Sequence, residues 1–405
     1  MNTVRLGDIA TIYNGNSINA SVKKQKYMKN VPGWNYIATK DVGFDGTVTY
    51  KNGVIIPFSE AGFRIAPAGS VFVCSEGGSA GKKTAIINED VCFGNKLFAI
   101  VNDRGLFNEK YLFFYTRYEK FREQFRLLAT TLMGGISSKN FATIEIPLAD
   151  LSKQERIVAR IEELFSQLDA GVETLKKTKA QLATYRQAVL KEAFEGSYIR
   201  DLLEKSESKH RVMHIRDFAK VDTGATPLKT NKAFYGGSVA WVTSGKINEE
   251  TIHSPTDYIT DLALKETNCK VFPPGTLLVA MYGEGKTRGK CAELMIPAAT
   301  NQALAAITLN EESPVIKTYL KWFLTKNYQQ IRRRASGGVQ PNLSLSVIKA
   351  ISVNVFPKSM QEEIVKQIEA RWSICDSIER TIDAALLQAE AMWQSILKDA
   401  FEGRL

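Results

Sequence analysis

The chain is poor in the residue types that carry catalysis and metal binding. Histidine occurs three times in 405 residues, as His210, His214 and His253, and these form no metal-ligand pattern. The five cysteines (Cys74, Cys92, Cys269, Cys291, Cys375) are odd in number, widely separated and never arranged as CxxC. That argues against a zinc site or a disulfide framework and fits a reducing cytoplasm. No apolar run reaches membrane-spanning length, and the opening MNTVRLGDIA lacks a signal-peptide pattern. The one Pro-Pro pair lies in Phe272–Gly275, FPPG, without the amide or acid and the aromatic that a base methyltransferase motif needs. Ala280–Thr287, AMYGEGKT, looks like a phosphate loop, but its first position is alanine and its continuation, RGKCAELMIP, does not read as a helix. A basic, glycine-rich turn that can approach a phosphate backbone is the better reading. No Ser/His/Asp or Cys/His set can be nominated. The chain reads as non-catalytic, with no metal and no cofactor of its own.

What is abundant is long-range helical pattern. Gln154–Gly196 contains no proline, and apolar residues recur in steps of three and four at Ile161, Leu164, Leu168, Leu175, Leu182, Tyr185 and Val189. Ser152 with Glu155 three residues on has the spacing of a capping box. At 1.5 Å per residue this helix would reach roughly 65 Å and needs a partner along one face. The chain supplies it. Gln361–Gly403 repeats the stretch at a constant offset of 207 residues, with 17 of 43 positions identical and the endings LKEAFEG and LKDAFEG nearly the same. Its seam reads Ile364, Ile368, Ile378, Ile382, Met392 and Ile396. Two equivalent helices in one chain predict an antiparallel coiled pair about an internal pseudo-two-fold.

The rest of the chain is duplicated too. VRLGDIATIYNG at 4–15 returns as MHIRDFAKVDTG at 213–224, and APAGSVFVC at 66–74 as FPPGTLLVA at 272–280. Asn301–Gln302 stands where Asn95–Lys96 stood, and Tyr319–Leu320 where Tyr111–Leu112 did. Short apolar strands punctuated by turns, with few helices, predict an α+β fold: two similar domains on twisted, mostly antiparallel sheets. The expected order is a domain at 1–150, a long helix at 151–196, a polar linker at 197–212, a second domain at 213–356 and a second long helix at 357–405. The scaffold repeats while the loops between diverge, as for two frames that read two different targets.

The net charge is +10 and unevenly placed. Positions 154–196 are neutral and 361–403 carry −5, so the remainder holds +15. A surplus on the globular parts suits a polyanion partner. The candidate DNA-contacting residues are Lys23, Lys24, Lys26, Tyr27, Lys82, Lys83, Lys229, Lys232, Lys286, Arg288, Lys290, Arg332 and Arg333, with Trp34, Tyr36, Tyr235 and Trp241 nearby in sequence. Solvated surface charge is the bland alternative for each cluster.

Taken together, these features resemble the specificity (S) subunits of type I restriction–modification enzymes. The carrying residues are IPLADLSKQERIVARIEELFSQLD, its partner QEEIVKQIEARWSICD, the paired LKEAFEG/LKDAFEGRL endings and the opening LGDIATIYNG. The resemblance spans the whole chain and implies that each globular domain reads one half of a bipartite site in double-stranded DNA. It implies that the helices set the spacer and dock two methyltransferase (M) subunits, and that endonuclease/translocase (R) subunits join them. AdoMet, ATP and Mg²⁺ would then belong to those partners. A coiled-coil adaptor that binds only proteins is the competing class, and it would lack salt-sensitive binding to duplex DNA.

Overall fold

The computed structural model describes residues 2–28, 31–129, 135–196, 199, 211–283, 287–335 and 342–405. The chain forms two compact units: unit 1 is Met1–Lys176 with Ile382–Leu405, and unit 2 is Lys177–Thr381. The proposed linker falls almost entirely outside the described residues.

Unit 1 holds three sheets. Strands β1 (Asn2–Arg5) and β10 (Glu145–Leu148) pair antiparallel. β2 (Thr11–Asn14), β9 (Leu97–Val101), β6 (Val71–Cys74) and β7 (Thr84–Ile86) form an antiparallel sheet in that order. β4 (Ile55–Pro57), β3 (Gly33–Ile37), β8 (Val91–Phe93) and β5 (Ile65–Ala66) form the third, in which β3 and β8 run parallel. Helices α1 (Glu109–Arg117) and α2 (Glu119–Leu128) cover the first of the four-stranded sheets. Tyr118, in extended backbone, separates them.

Unit 2 repeats this plan. β11 (Arg211–His214) pairs with β21 (Ser352–Val355). β12 (Ala219–Thr223), β20 (Leu304–Leu309), β17 (Leu277–Ala280) and β18 (Cys291–Leu294) take the places of β2, β9, β6 and β7, with β14 (Thr251–Ile252) added in parallel beside β18. β15 (Asp257–Ile259), β13 (Tyr235–Val242), β19 (Ala298–Thr300) and β16 (Val271–Phe272) form the other sheet, again with one parallel pair, β13 and β19. Helices here are α4 (Lys317–Lys326) and α5 (Tyr328–Arg333). The expectation of α+β units with mostly antiparallel sheets is met, and each unit carries a parallel pair that the short strands did not announce.

The two long helices are α3 (Leu151–Glu195) and α6 (Lys358–Phe401), and each contributes one part to each unit. The cap of α3 is not the Ser152 box: Asp150 Oδ1 accepts from Lys153 N at 2.9 Å, and Asp150 O from Gln154 N at 3.0 Å. Asp150 lies one position outside the helix, where a carboxylate can reach the free N–H groups of the first turn.

The seam follows a strict four–three alternation. In α3 the shielded positions are Ile161, Phe165, Leu168, Val172, Leu175, Lys179, Leu182, Arg186, Val189 and Ala193. In α6 they are the same positions plus 207: Ile368, Trp372, Cys375, Glu379, Ile382, Leu386, Ala389, Trp393, Ile396 and Ala400. The expected Ile161, Leu168, Leu175, Leu182, Val189, Ile368, Ile382 and Ile396 lie on it. Leu164 sits beside it, half-buried, with the neighbouring Phe165 taking the seam position. Two expectations are corrected: Ile378 is 40% and Met392 52% exposed. Both are one residue out of phase with a seam residue, Glu379 and Trp393. Tyr185 is likewise exposed, next to Arg186.

Two buried glutamines explain the most stubborn identity of the repeat. Gln154 Oε1 accepts from Asn108 N at 2.8 Å, and its Nε2 donates to Ala149 O at 2.7 Å and Leu106 O at 3.2 Å. Gln361 Oε1 accepts from Ile316 N at 2.8 Å, and its Nε2 donates to Phe356 O at 2.7 Å and Pro314 O at 2.8 Å. Each amide fastens the first turn of a long helix to the loop before α1 or α4, and both side chains are fully buried. The endings are accounted for in the same way. Phe401, closing α6, packs on Tyr111 of α1 at 5.1 Å between ring centres; Phe194, closing α3, packs on Tyr319 of α4 at 5.3 Å. Thus the helix that leaves one repeat ends in the core of the unit that holds the other repeat's sheets.

Candidate nucleic-acid interface

In each unit the parallel strand pair ends at a turn shaped by a repeated glycine. Gly15, after β2, lies against the Phe93 carbonyl, and Gly224, after β12, against the Thr300 carbonyl. A Cβ would fall 1.9 Å and 1.7 Å from those oxygens, so any side chain would push the loop away. These glycines close the duplicated stretches 4–15 and 213–224. They seat the next loop against the C-terminal ends of β8 and β19, beside Asn95–Lys96 in unit 1 and Asn301–Gln302 in unit 2.

In unit 1 this place is a mesh of amides and cations. Asn14 Nδ2 donates to Asn95 O at 2.9 Å, and Arg64 Nη1 to Asn14 O at 2.9 Å. Tyr36 Oη donates to Asn16 O at 2.7 Å, and burial pushes its phenol up to about 12, so it stays a donor at any physiological pH. Lys23 Nζ lies over the Tyr36 ring at 4.8 Å, Lys83 Nζ donates to Thr39 O at 3.0 Å, and Lys96 pairs with Glu76 at 2.9 Å.

In unit 2 the same place is an open cavity of about 630 Å³, lined by Thr226, Lys229, Tyr235, Trp241, Thr243, Asp257, Asn301 and Gln302. Trp241 Nε1 donates to Ala225 O at 3.2 Å and Tyr235 Oη to Pro227 O at 2.7 Å, which pins the loop forming its rim. Thr226 Oγ1 donates to Gln302 Oε1 at 2.6 Å.

The nominated residues separate into three groups. Lys24, Lys82, Lys229, Lys232 and Arg333 are exposed and make no ion pair among the described residues. Lys23, Lys83, Arg288, Lys290 and Arg332 are half-buried. Of these, Lys290 donates to Asn248 at 2.7 Å and Arg332 to the Tyr328 hydroxyl at 3.2 Å. Lys26 is exposed but paired with Glu60 at 2.7 Å. Tyr27 is corrected: it is 4% exposed, its hydroxyl bonded to Glu60 at 3.1 Å, so its ring belongs to the core under the loop. Lys286 lies outside the described residues.

The glycine-rich loops also take a definite form. Gly81 and Gly289 both have positive φ, 66° and 86°, and return the chain to the preceding strand by hydrogen bonds to Cys74 O and Ala280 O. Gly81 packs on Phe125 of α2, and Gly289 lies near Tyr328 and Arg332 of α5. The second loop leads into β18, antiparallel to β17, where a phosphate loop would open a helix. β17 and β18 therefore pair as a hairpin. Among the described residues no cluster of three or more His, Cys, Asp or Glu could hold a metal, and no helix is long and apolar enough to cross a membrane.

Sequence reasoning missed Arg64, Lys96 and Gln302. They stand singly rather than in basic runs; the repeat aligns Asn95–Lys96 with Asn301–Gln302, and the hydrogen bonds of Asn14 and Thr226 at those turns add what the repeat did not show.

Comparison with known proteins bears on both halves. A family profile for the type I restriction modification DNA specificity domain matches residues 1–183 and 207–388. The EcoKI specificity subunit of Escherichia coli K12 is 23% identical over 360 residues, 84% of this chain and 76% of that protein. The MjaIX specificity subunit of Methanocaldococcus jannaschii is 30% identical over 158 residues, 38% of this chain and 35% of that one. Among solved structures, a chain described under complex assembly and conformational transition of the type I R-M system superposes with a TM-score of 0.75 at 16% identity, covering 100% of this chain and 98% of that one. The HsdS subunit of Thermoanaerobacter tengcongensis does so with a TM-score of 0.61 at 16% identity, covering 100% and 97%. At such identity the likeness speaks for the fold.

Proposed function

The chain belongs to the type I restriction–modification DNA specificity family, and from that membership we propose that it is the DNA-recognition subunit of such a complex, itself without catalytic chemistry. Each unit reads one half of a bipartite duplex site. The observation that carries this is duplication with divergence at one place: two equivalent strand-end turns, Asn95–Lys96 and Asn301–Gln302, on matching scaffolds with unlike surrounding loops. Exposed Lys24, Lys82, Lys229, Lys232 and Arg333 supply phosphate contacts, which fix position and carry no sequence information. Base edges are read by side chains at the strand-end turns.

The long helices set the spacer between half-sites, since half-site separation follows protein geometry. Their outward apolar residues, Ile374, Ile378, Leu387 and Met392 among them, form docking surface for two methyltransferase subunits, and an endonuclease/translocase subunit completes the complex. AdoMet, ATP and Mg²⁺ are bound by those partners, in the cytoplasm of a prokaryote.

The test is to co-express the chain with its methyltransferase partner and map methylated motifs genome-wide. A bipartite, asymmetric motif is expected; a continuous motif overturns the reading. Deleting one seven-residue block from each long helix at equivalent positions should change the spacer and leave both half-sites as they were. Altered half-sites with an unchanged spacer would remove the helices from that role. Affinity for duplex DNA should fall linearly on a log–log plot against salt, with a slope near −0.9 per phosphate contact.

A further inference from the structure

The cavity at the end of β13 and β19 differs from its counterpart in one respect that the scaffold does not require. Around it the two units are built alike: a repeated glycine packed on a carbonyl, a parallel pair above it, and an Asn leading the next turn. The following residue is Lys96 in unit 1 and Gln302 in unit 2, and both are exposed. A position held by the frame but free in its chemistry is where two readers of one design can differ in target.

Gln302 is also prepared for reading. Thr226 Oγ1 donates to its Oε1 at 2.6 Å, which orients the amide and leaves that oxygen a second lone pair. Its Nε2 has no hydrogen-bond partner among the described residues. An amide held in this way offers one acceptor and one donor side by side, the complement of the N6 amine and N7 of adenine in the major groove. The residues just before it are unusual as well: Thr300 Oγ1 and Asn301 Oδ1 are shielded from solvent and lack a hydrogen-bond partner. Native proteins leave few such oxygens unpaired. Lys229, exposed on the same rim, suits the phosphate beside such a base.

We propose that Gln302 is a specificity-determining residue that reads an adenine in the half-site held by unit 2, its amide oriented by Thr226. This rests on the functional reading above.

The test uses the full chain assembled with its methyltransferase partner, with methylated motifs mapped genome-wide and binding measured to duplexes varied one base at a time. Gln302→Ala should relax one adenine position in one half-site, cutting discrimination there by about tenfold to a hundredfold, with the other half-site and the spacer unchanged. Gln302→Lys should move the preference at that position toward guanine. Thr226→Val should weaken the same discrimination in part, and Lys229→Ala should lower binding to all sequences alike. An unchanged motif in Gln302→Ala, or a loss of affinity equal for every sequence, overturns the proposal. Because Gln302 is exposed, the variant keeps its fold, which thermal melting checks. Should the wild-type complex show no bipartite motif, the underlying functional reading fails instead, so the two failures are told apart.

Discussion

The helix seam within unit 1 and the helix seam within unit 2 occupy equivalent positions and use opposite chemistry. In unit 1, Phe165 of α3 lies on Trp393 of α6 with ring centres 3.7 Å apart. Adding 207 to Phe165 and subtracting it from Trp393 gives Trp372 and Arg186 in unit 2. There the Arg186 guanidinium lies over the Trp372 ring at 5.2 Å, bonds Glu379 at 2.8 Å and pairs with Asp376. Lys179 approaches the same Glu379 at 3.5 Å. The seam positions matching Glu379 and Lys179 in unit 1 are Val172 and Leu386. One seam is therefore wholly apolar and the other is knit by charge.

The difference teaches how a duplicated chain can favour pairing between unlike repeats. If two copies of α3 paired in this register, Lys179 would face Val172 with no carboxylate to meet it, and Arg186 would face Phe165 and lose Glu379, keeping only Asp169 in the place of Asp376. If two copies of α6 paired, Glu379 would face Leu386. Leaving a half-buried charge without its partner costs more than a partly exposed ion pair gains. The charged seam thus acts mainly against the wrong pairs, as polar residues in coiled coils do.

Four experiments would break or sharpen this contrast. The largest effect is expected where the units are alike. Gln154→Leu and Gln361→Leu each strip partners from one buried N–H and two carbonyls, at about 1–3 kcal/mol apiece, so each should cost several kcal/mol. Hydrogen exchange should report opening of the first turn of α3 or α6, equal in size in the two variants; a large inequality would show that the two clamps are not equivalent. Next comes Phe165→Ala, which removes a buried ring from the apolar seam and should cost about 3 kcal/mol, measured by urea unfolding, with no dependence on salt. Arg186→Ala acts on the charged seam. It should cost about 1–2 kcal/mol at low ionic strength and less at 1 M salt, because Glu379 and Asp376 are partly exposed. The double variant Arg186→Glu with Glu379→Arg should recover part of the loss; a cycle with no coupling would show that the ion pair adds nothing to the seam.

The smallest effect concerns Asp222 of β12, which pairs with Lys220 and Lys270, each at 3.4 Å. Burial works to raise its carboxyl, but the Lys270 and Lys220 charges outweigh it and hold the group below the usual value of 3.8. A depressed carboxyl contributes stability above its unfolded value and loses it as pH falls through the folded one. Asp222→Asn should therefore differ from wild type by no more than about 0.5 kcal/mol near pH 7, with the gap closing below about pH 4. A gap that widened in acid would reverse the assigned sign.

Much of this architecture was legible in the chain, for identifiable reasons. The 207-residue register, the Gln154/Gln361 identity and the paired endings are strong signals because each serves a buried contact. The seam was half legible. Ile161, Leu168, Leu175, Leu182 and Val189 announce themselves by apolar character, whereas Lys179, Arg186 and Glu379 occupy the alternate positions and look like surface. Met392 and Ile378 were misplaced because an apolar residue one step from the seam is indistinguishable from one on it until the partner helix is in view. Tyr27 was misread likewise: a tyrosine among lysines suits a surface patch, and only the fold puts its ring under the loop.

By itself, then, the sequence determined that two like domains and two like helices alternate, since repetition and periodicity are local properties of a chain. Only the tertiary structure decided that each compact unit is assembled from both repeats. Phe401 closes on Tyr111 and Phe194 on Tyr319 because the end of each long helix buries its apolar face in the other repeat's core, a pairing across some two hundred residues that no local pattern encodes. It also decided which polar residues meet at the strand ends, because Thr226, Asn301 and Gln302 become neighbours only when β13 and β19 lie side by side.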